Sequence, residues 1–344
     1  MSRVFEALCA HLKTHPEAEV QDAVKFLYQA SFGGGHFLSD PDGAYLYLLK
    51  ETEIANLDAP YTEALGEQYA RINLSALREL SPKTLFAMFK ASSEDTPTDK
   101  TAFLSLLDEL ENADLFDKAE KTAFLKSYRA AGCPAVHHSE AYRRAYHPAY
   151  RVVKKAYADF LPAFIAIDKL TAEKAPVTVA IDGLCGSGKT TFAALLQSVY
   201  DCNLFHADDF YLPMSMRTPE RYATPGGNVY WERILSDILE QIPKNESFSY
   251  RVFDCGVMDL GDAVQVTPKT LNILEGSYST HPELIGRYDL KIFLKTSPET
   301  QSARILKRNG PARHKMFVEK WIPLENLYFT SYPVEKQCDL VFTT

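Results

Sequence analysis

Eight consecutive residues, Gly183-Leu184-Cys185-Gly186-Ser187-Gly188-Lys189-Thr190, match the pattern G-x-x-x-x-G-K-[ST] in full. Their flanks fit the same pattern. Val177-Thr178-Val179-Ala180-Ile181 is short, apolar and β-branched, which predicts a buried parallel strand; Thr191 to Tyr200 sets Phe192, Leu195, Leu196 and Val199 at helical spacing. A strand that feeds a glycine turn into a helix points successive backbone N–H groups inward, and the positive helix end adds to their field. Such a loop cradles phosphate oxygens. Gly183 to Thr191 are therefore expected to bind a nucleotide, with Lys189 reaching the β- and γ-phosphates and the Thr190 hydroxyl on Mg²⁺.

The 344 residues suffice for two domains, each with its own core. A net charge of −8 argues against a general electrostatic grip on nucleic acid or anionic membrane, although local basic patches remain compatible with it. Cys9, Cys133, Cys185, Cys202, Cys255 and Cys338 are scattered without a C-x-x-C pair, which suits free thiols in a reducing cytosol. Cys185 is a candidate for alkylation, since it lies inside the phosphate loop, though position alone does not make a thiol reactive. No apolar run reaches membrane-spanning length and Met1 to Glu6 starts no secretory segment, so a soluble, cytoplasmic protein without a membrane partner is expected.

Residues 1 to about 170 read as helix after helix. Val20, Val24, Leu27 and Tyr28 share a face, as do Phe103, Leu106, Leu107 and Leu110, and Leu115, Ala119, Phe124 and Leu125. Ser81-Pro82 reads as a helix start and Gly132 with Pro134 as a stop. An all-α domain is expected, closed by a helix from Ala149 to about Ile167 and a linker over 171–176. Ser31-Phe32-Gly33-Gly34-Gly35-His36-Phe37 is either an anion nest or, preferably, a turn between helices. His137, His138 and Glu140 match no zinc spacing, and the basic, tyrosine-bearing run from Arg143 to Lys155 suits an interface, or a grip on phosphate or RNA.

From 177 to 344, strand and helix patterns alternate, which predicts a parallel α/β sheet with helices on both faces. Candidate strands are Val177 to Ile181, Asn203 to His206, Ser249 to Phe253, Leu271 to Leu274, Asp289 to Leu294 and Asp339 to Phe342. Ligands of such sheets sit at the carboxyl ends of the strands. There the sequence places Asp208 and Asp209 before Phe210-Tyr211, and Glu275 before Gly276-Ser277-Tyr278. Asp208 is the candidate to take the proton of an attacking hydroxyl, and Glu275, with Thr190 and Asp208, to hold Mg²⁺ directly or through water. Arg304 and Arg308 share a face of the helix that starts at Ser297-Pro298 and stops at Gly310-Pro311, which suits a lid over transferring phosphate. Arg217, Arg221 and Asn228, with Asp209, Tyr211 and Tyr278, are candidates for the acceptor pocket; the two arginines fit surface ion pairs equally well.

Ile181-Asp182 with the P-loop, Asp208-Asp209-Phe210-Tyr211, Glu275-Gly276-Ser277-Tyr278 and the arginine-bearing helix resemble, in that order, the uridine kinase and phosphoribulokinase family of P-loop kinases. The resemblance covers about residues 177 to 344. It implies ATP- and Mg²⁺-dependent phosphorylation of a hydroxyl on a small metabolite. Asp208 matches the family's catalytic aspartate, Lys189 and Thr190 its phosphate and Mg²⁺ residues, and Arg304 and Arg308 approximately its lid arginines. The run from Arg217 to Asn228 looks like a bacterial branch named uridine kinase by similarity, so the acceptor stays open among nucleosides, pantothenate-like acids, sugars and sugar acids. The rival reading is a nucleotide switch in which ATP controls the hold of the helical domain on RNA or protein.

Overall fold

The computed structural model describes all residues except 1, 36, 37, 39, 54–57, 95 and 255, and the chain divides into two compact units, Met1–Leu161 and Pro162–Thr344. His36, Phe37 and Cys255 therefore lie outside the described residues.

The first unit runs α1 (Arg3–Thr14), α2 (Val20–Phe32), α3 (Pro41–Glu51), β1 (Thr62–Ala64), β2 (Tyr69–Asn73), α4 (Pro82–Ser93), α5 (Thr101–Asn112), α6 (Lys118–Ala130), α7 (Glu140–Tyr146), β3 (Tyr150–Lys154) and α8 (Lys155–Asp159). Local capping chemistry fixes the helix starts: Ser2 accepts the Phe5 N–H, Ser81 precedes Pro82 and accepts the Lys83 N–H, and Asp117 accepts from Ala119 and Glu120. The apolar stripes then meet, with Phe5 and Leu8 of α1, Val24, Phe26 and Leu27 of α2, Phe103, Leu107 and Leu110 of α5 and Leu125 of α6 in one buried cluster. Gly33 closes α2 at φ +64°, and a Cβ there would meet the Tyr69 ring at 2.7 Å, so the glycine run serves a turn.

The expected helical domain is present, but it is not all-α. β1, β2 and β3 form a three-stranded antiparallel sheet with β2 in the middle, and the helix expected from Ala149 to Ile167 is instead β3, α8 and the start of a further helix. Val152, Val153, Tyr157, Phe160 and Phe164 imitate a helical stripe in sequence, whereas the β-branched pair Val152-Val153 takes the extended form against Arg71 and Ala70. Arg71 hides the signal further, because a charged residue interrupts the apolar run of a strand. It is 1% exposed, and its guanidinium is satisfied by Glu63 at 2.8 Å and by Gln29 at 2.7 and 3.0 Å. Burial alone would raise the Glu63 carboxyl; the Arg71 charge and the bonds from His11 and Arg71 outweigh it and hold it at about 2.

The second unit runs α9 (Leu161–Glu173), β4 (Val177–Gly183), α10 (Lys189–Gln197), β5 (Cys202–His206), α11 (Pro219–Ala223), α12 (Trp231–Ile234), β6 (Phe248–Asp254), β7 (Asp259–Val266), β8 (Leu271–Glu275), β9 (Leu290–Lys295), α13 (Pro298–Met316), α14 (Ile322–Ser331), α15 (Val334–Gln337) and β10 (Leu340–Thr343). α9 begins one residue before the unit boundary. Five strands form a parallel sheet in the order β10-β9-β4-β8-β5. β4 is buried along its whole length, as its unbroken apolar run requires. Ala180, Phe205, Leu274 and Phe293 face one side and pack with Ile234, Ile238 and Tyr328, while α10 covers β4, β8 and β5. The second unit is thus a parallel α/β sheet with helices packed against it, as its alternating pattern predicts. The strand expected at Ser249 to Phe253 does form, but in an antiparallel hairpin of β6 and β7 outside the parallel sheet. Tyr250 and Phe253, three residues apart, are both buried because a bulge between Arg251 and Phe253 shifts the phase of the strand, and Tyr250 stacks on Phe210, so one face of the hairpin is covered by the segment that follows β5. Among the described residues, no helix is long and apolar enough to cross a membrane.

Candidate active site

The loop between β4 and α10 lies at the carboxyl end of the central strand. Its curl is built on positive φ values at Gly183 (+139°), Gly186 (+73°) and Gly188 (+93°); a Cβ on Gly183 would run into the Leu294 carbonyl, whereas one on Gly188 would point into open space. The first N–H groups of α10 have no partner within the helix and face the same way. Lys189 Nζ folds back onto the carbonyls of Gly183 (2.8 Å) and Leu184 (2.9 Å), and the Ser187 hydroxyl is buried without a hydrogen-bond partner. An orphaned hydroxyl, an open glycine and a cation resting on loop carbonyls together fit a phosphate chain.

Asp182, the last side chain before the loop, organises the neighbouring strand end. It is fully buried and accepts the N–H groups of Gly183 (2.7 Å), Tyr278 (3.1 Å) and Thr280 (3.0 Å), the Thr280 hydroxyl (2.6 Å) and the Tyr328 hydroxyl (3.3 Å). One carboxylate thus ties the β4 loop to the turn after β8 and to α14. Glu275 at the end of β8 is brought onto the loop this way, and the Thr190 hydroxyl donates to it at 3.0 Å. Gly276 lets β8 and β5 converge, since a Cβ there would meet that of Ala207 at 2.7 Å.

Asp208 consequently shares one field with Lys189, Glu275, His206 and Arg308. The residue is exposed. Desolvation by the surrounding protein and the charge of Glu275 raise its carboxyl above the ordinary aspartate value, against the pull of Lys189, His206 and Arg308. Asp209 is raised too, by desolvation and then by Asp208 and Glu275, against His206. His206 is a site residue that the sequence reading does not single out. It is the last residue of β5, and its Nδ1 lies 2.7 Å from Glu275 Oε1, a bond that raises the imidazole above its usual value against desolvation. The signal is present in the sequence, since His206 ends a strand two residues before Asp208. Among the described residues, no three His, Cys, Asp or Glu side chains are grouped to hold a metal by themselves. The Thr190 hydroxyl and the Glu275 carboxylate, 3.0 Å apart, could hold a divalent cation together with phosphate oxygens.

The remaining candidates divide. Asn228 stands beside the buried Tyr278 hydroxyl, and the Tyr211 backbone bridges to that of Val229, the residue next to Asn228. Arg221 instead clamps its own segment, donating to Gly227 and Val229 carbonyls and pairing with both oxygens of Glu232 at 2.7 and 2.8 Å. Arg217 donates to the Leu212 carbonyl and lies over the Phe253 ring. Of the two arginines of the expected lid, Arg308 contributes to the field at Asp208, whereas Arg304 braces the outer wall of the loop through the Gly186 carbonyl and Thr344. The helix does break where expected, at Gly310 with φ +75°.

Glu325 is the residue that sequence reasoning misses entirely. It lies on α14, is 4% exposed, accepts the Cys185 N–H at 2.9 Å and takes the Ser277 hydroxyl at 2.5 Å. Burial and this neighbouring carboxylate push the Cys185 thiol far above its ordinary value. This surrounding predicts a slow-reacting thiol in place of the alkylation-sensitive one that its position in the loop suggests. Iodoacetamide at pH ~7.5 should modify Cys185 at least ~100-fold more slowly than glutathione, with site-resolved mass spectrometry as the readout. Labelling at the rate of an exposed thiol would contradict this geometry.

No family model and no curated protein matches this sequence. Among solved structures, the chain is similar to one from Bacillus stearothermophilus described as a possible uridine kinase (20% identity, 52% of this chain and 97% of that one, TM-score 0.38). It is also similar to one from Silicibacter sp. TM1040 provisionally assigned as a fructose transport system kinase, with the same identity, coverage and score. A shikimate kinase from Bacteroides thetaiotaomicron matches at 14% identity over 48% of this chain and 85% of that one, with a TM-score of 0.27. Substrate and reaction are accordingly read from the residues of this chain.

Proposed function

We propose that the second unit is an ATP-dependent phosphotransferase acting on a hydroxyl group of a small metabolite. The observation that carries this reading is the convergence of Lys189, Asp208, Glu275 and His206 at the carboxyl ends of adjacent strands. A nucleotide switch needs the loop and a metal-holding acid; it has no use for a second, solvent-open aspartate with a raised carboxyl. When bound, MgATP supplies an activated γ-phosphoryl group. The chain's own residues do the rest. The loop N–H groups and Lys189 would hold the phosphates, and Thr190 and Glu275 the metal. Asp208 would orient the acceptor hydroxyl and take its proton, for which a raised carboxyl is a better acceptor than an ordinary one. Arg308 would offset charge on the transferring group. Asn228, Tyr211 and Tyr278 wall the acceptor side, with Asp209 beside them.

The test is ADP release from MgATP against a panel of nucleosides, pantothenate-like acids, sugars and sugar acids. Lys189→Ala should reduce acceptor-dependent release by ~100-fold or more. A flat panel from protein that still binds ATP, or release that survives the substitution, would overturn the reading.

A further inference from the structure

The loop Pro225-Gly226-Gly227-Asn228 is packed from two sides, and its glycines answer to that packing. Gly226 has φ +75°, and a Cβ there would meet the His281 ring at 2.7 Å and the Tyr328 ring at 3.2 Å; one on Gly227 would run into the Arg221 carbonyl. Just past Asn228 the chain is pinned to the segment that follows Asp208. The Tyr230 N–H donates to the Phe210 carbonyl at 2.8 Å, and the Val229 backbone bridges to that of Tyr211. The place of Asn228 relative to Asp208 is therefore set by two anchors, the Phe210-Tyr211 backbone and His281.

His281 lies in the turn after β8 and is 6% exposed. Its ring is nearly parallel to those of Trp231 (centroids 5.2 Å apart, planes 9° apart) and Tyr328 (6.3 Å, 7°). Nδ1 accepts the Glu283 N–H at 3.3 Å, which sets the ring proton on Nε2, and the Pro225 carbonyl accepts it. Only the neutral ring serves both partners. Burial lowers the imidazole to about 4 against the pull of Glu232, so the ring is neutral at pH 7. Tyr328 extends this support to the nucleotide side, since its hydroxyl donates to Asp182 at 3.3 Å. The loop that carries Asn228 and the loop that cradles phosphate thus rest on one aromatic column.

We propose that His281 is the positioning residue of the acceptor site, holding Pro225 to Asn228 in register with Asp208 and with the phosphate loop, and so setting the affinity for the acceptor. The inference rests on the reading above that Asn228 walls the acceptor side. Asp208 lies outside the loop, so loss of His281 is felt in binding of the acceptor and little in the chemistry.

The test pairs turnover with hydrogen exchange in the full chain. His281→Phe keeps a ring and removes both hydrogen-bonding groups; it should raise KM for the acceptor about tenfold and leave kcat and KM for MgATP each within about threefold of wild type. His281→Gln, whose amide can still donate to the Pro225 carbonyl, should recover most of that loss. A rise in KM matched by falls in kcat and in ATP affinity would mark a merely structural role and overturn the proposal. Amides of residues 226–230 should exchange about tenfold faster or more in His281→Phe, while those of 177–191 keep the wild-type rate. An unchanged rate at 226–230 would overturn the proposal as well. Wild-type protein that turns over no acceptor would strike the kinase reading itself, and the exchange rates would then decide by themselves whether His281 fixes the loop.

Discussion

Asp208→Asn is expected to lower turnover on the acceptor by a factor of about 10² to 10⁴ and to leave the dissociation constant for MgATP within about threefold. The substitution keeps the shape of the side chain just past the end of β5 and removes its capacity to accept a proton. The loop N–H groups, Lys189, Thr190 and Glu275 are untouched, so the nucleotide should still bind. A second role is separable in the same experiment. If Asp208 also belongs to the metal set, the affinity for MgATP falls towards that for ATP in EDTA, and the threefold limit is broken. The pH profile gives an independent readout. A protonated Asp208 accepts nothing, so activity is lost as pH falls through its carboxyl value, which desolvation and Glu275 raise. The acidic limb of kcat/KM should therefore lie above the ordinary aspartate range and be absent from the residual activity of the variant. Turnover within about threefold of wild type would remove Asp208 from the chemistry.

The parts of this site that are legible in sequence are those whose geometry is local. The phosphate loop is eight contiguous residues between a strand and a helix, and Asp208 and Glu275 each follow closely on an apolar run, so their place at a sheet edge follows from topology alone. Contacts between distant segments are not legible. Glu325 meets Cys185 across 140 positions, and its helix carries no apolar period that would mark the face on which its one acid is buried. Arg221 reads equally as a ligand residue and as an ion-pair partner because its pairing with Glu232 and the Gly227 and Val229 carbonyls depends on a loop whose path the sequence does not reveal. The small sheet of the first unit is hidden for a different reason. Its central strand buries Arg71, and its third strand places Val152 and Val153 at spacings that also fit a helix. A buried ion pair replaces apolar contacts there, so the pattern on which strand reading relies is absent.

Glu325→Gln is expected to tighten ATP binding by about ten- to a hundredfold. The carboxylate sits on the Cys185 N–H, within the loop whose other N–H groups would receive phosphate, and it is almost wholly buried. A unit charge about 5 Å from a phosphate group, at an effective dielectric constant of about 20, opposes binding by roughly 3 kcal/mol. Part of that is relieved if α14 shifts, hence the range. The amide is a conservative probe of charge: its oxygen can still accept from the Cys185 N–H and its nitrogen can donate to the Ser277 hydroxyl. The bond from Tyr328 to Asp182 is untouched and also holds α14 to the loop. Added salt should narrow the difference between variant and wild type less than it would for surface charges, because the pair is shielded from solvent. Cys185 supplies a readout that needs no nucleotide. Glu325 is one cause of its raised thiol value, so the variant's thiol should fall and its alkylation quicken, even with burial retained. Faster alkylation with unchanged ATP affinity would mean that the carboxylate leaves the loop before phosphate arrives; unchanged alkylation would mean that burial alone silences the cysteine, and the electrostatic account of Glu325 would fail.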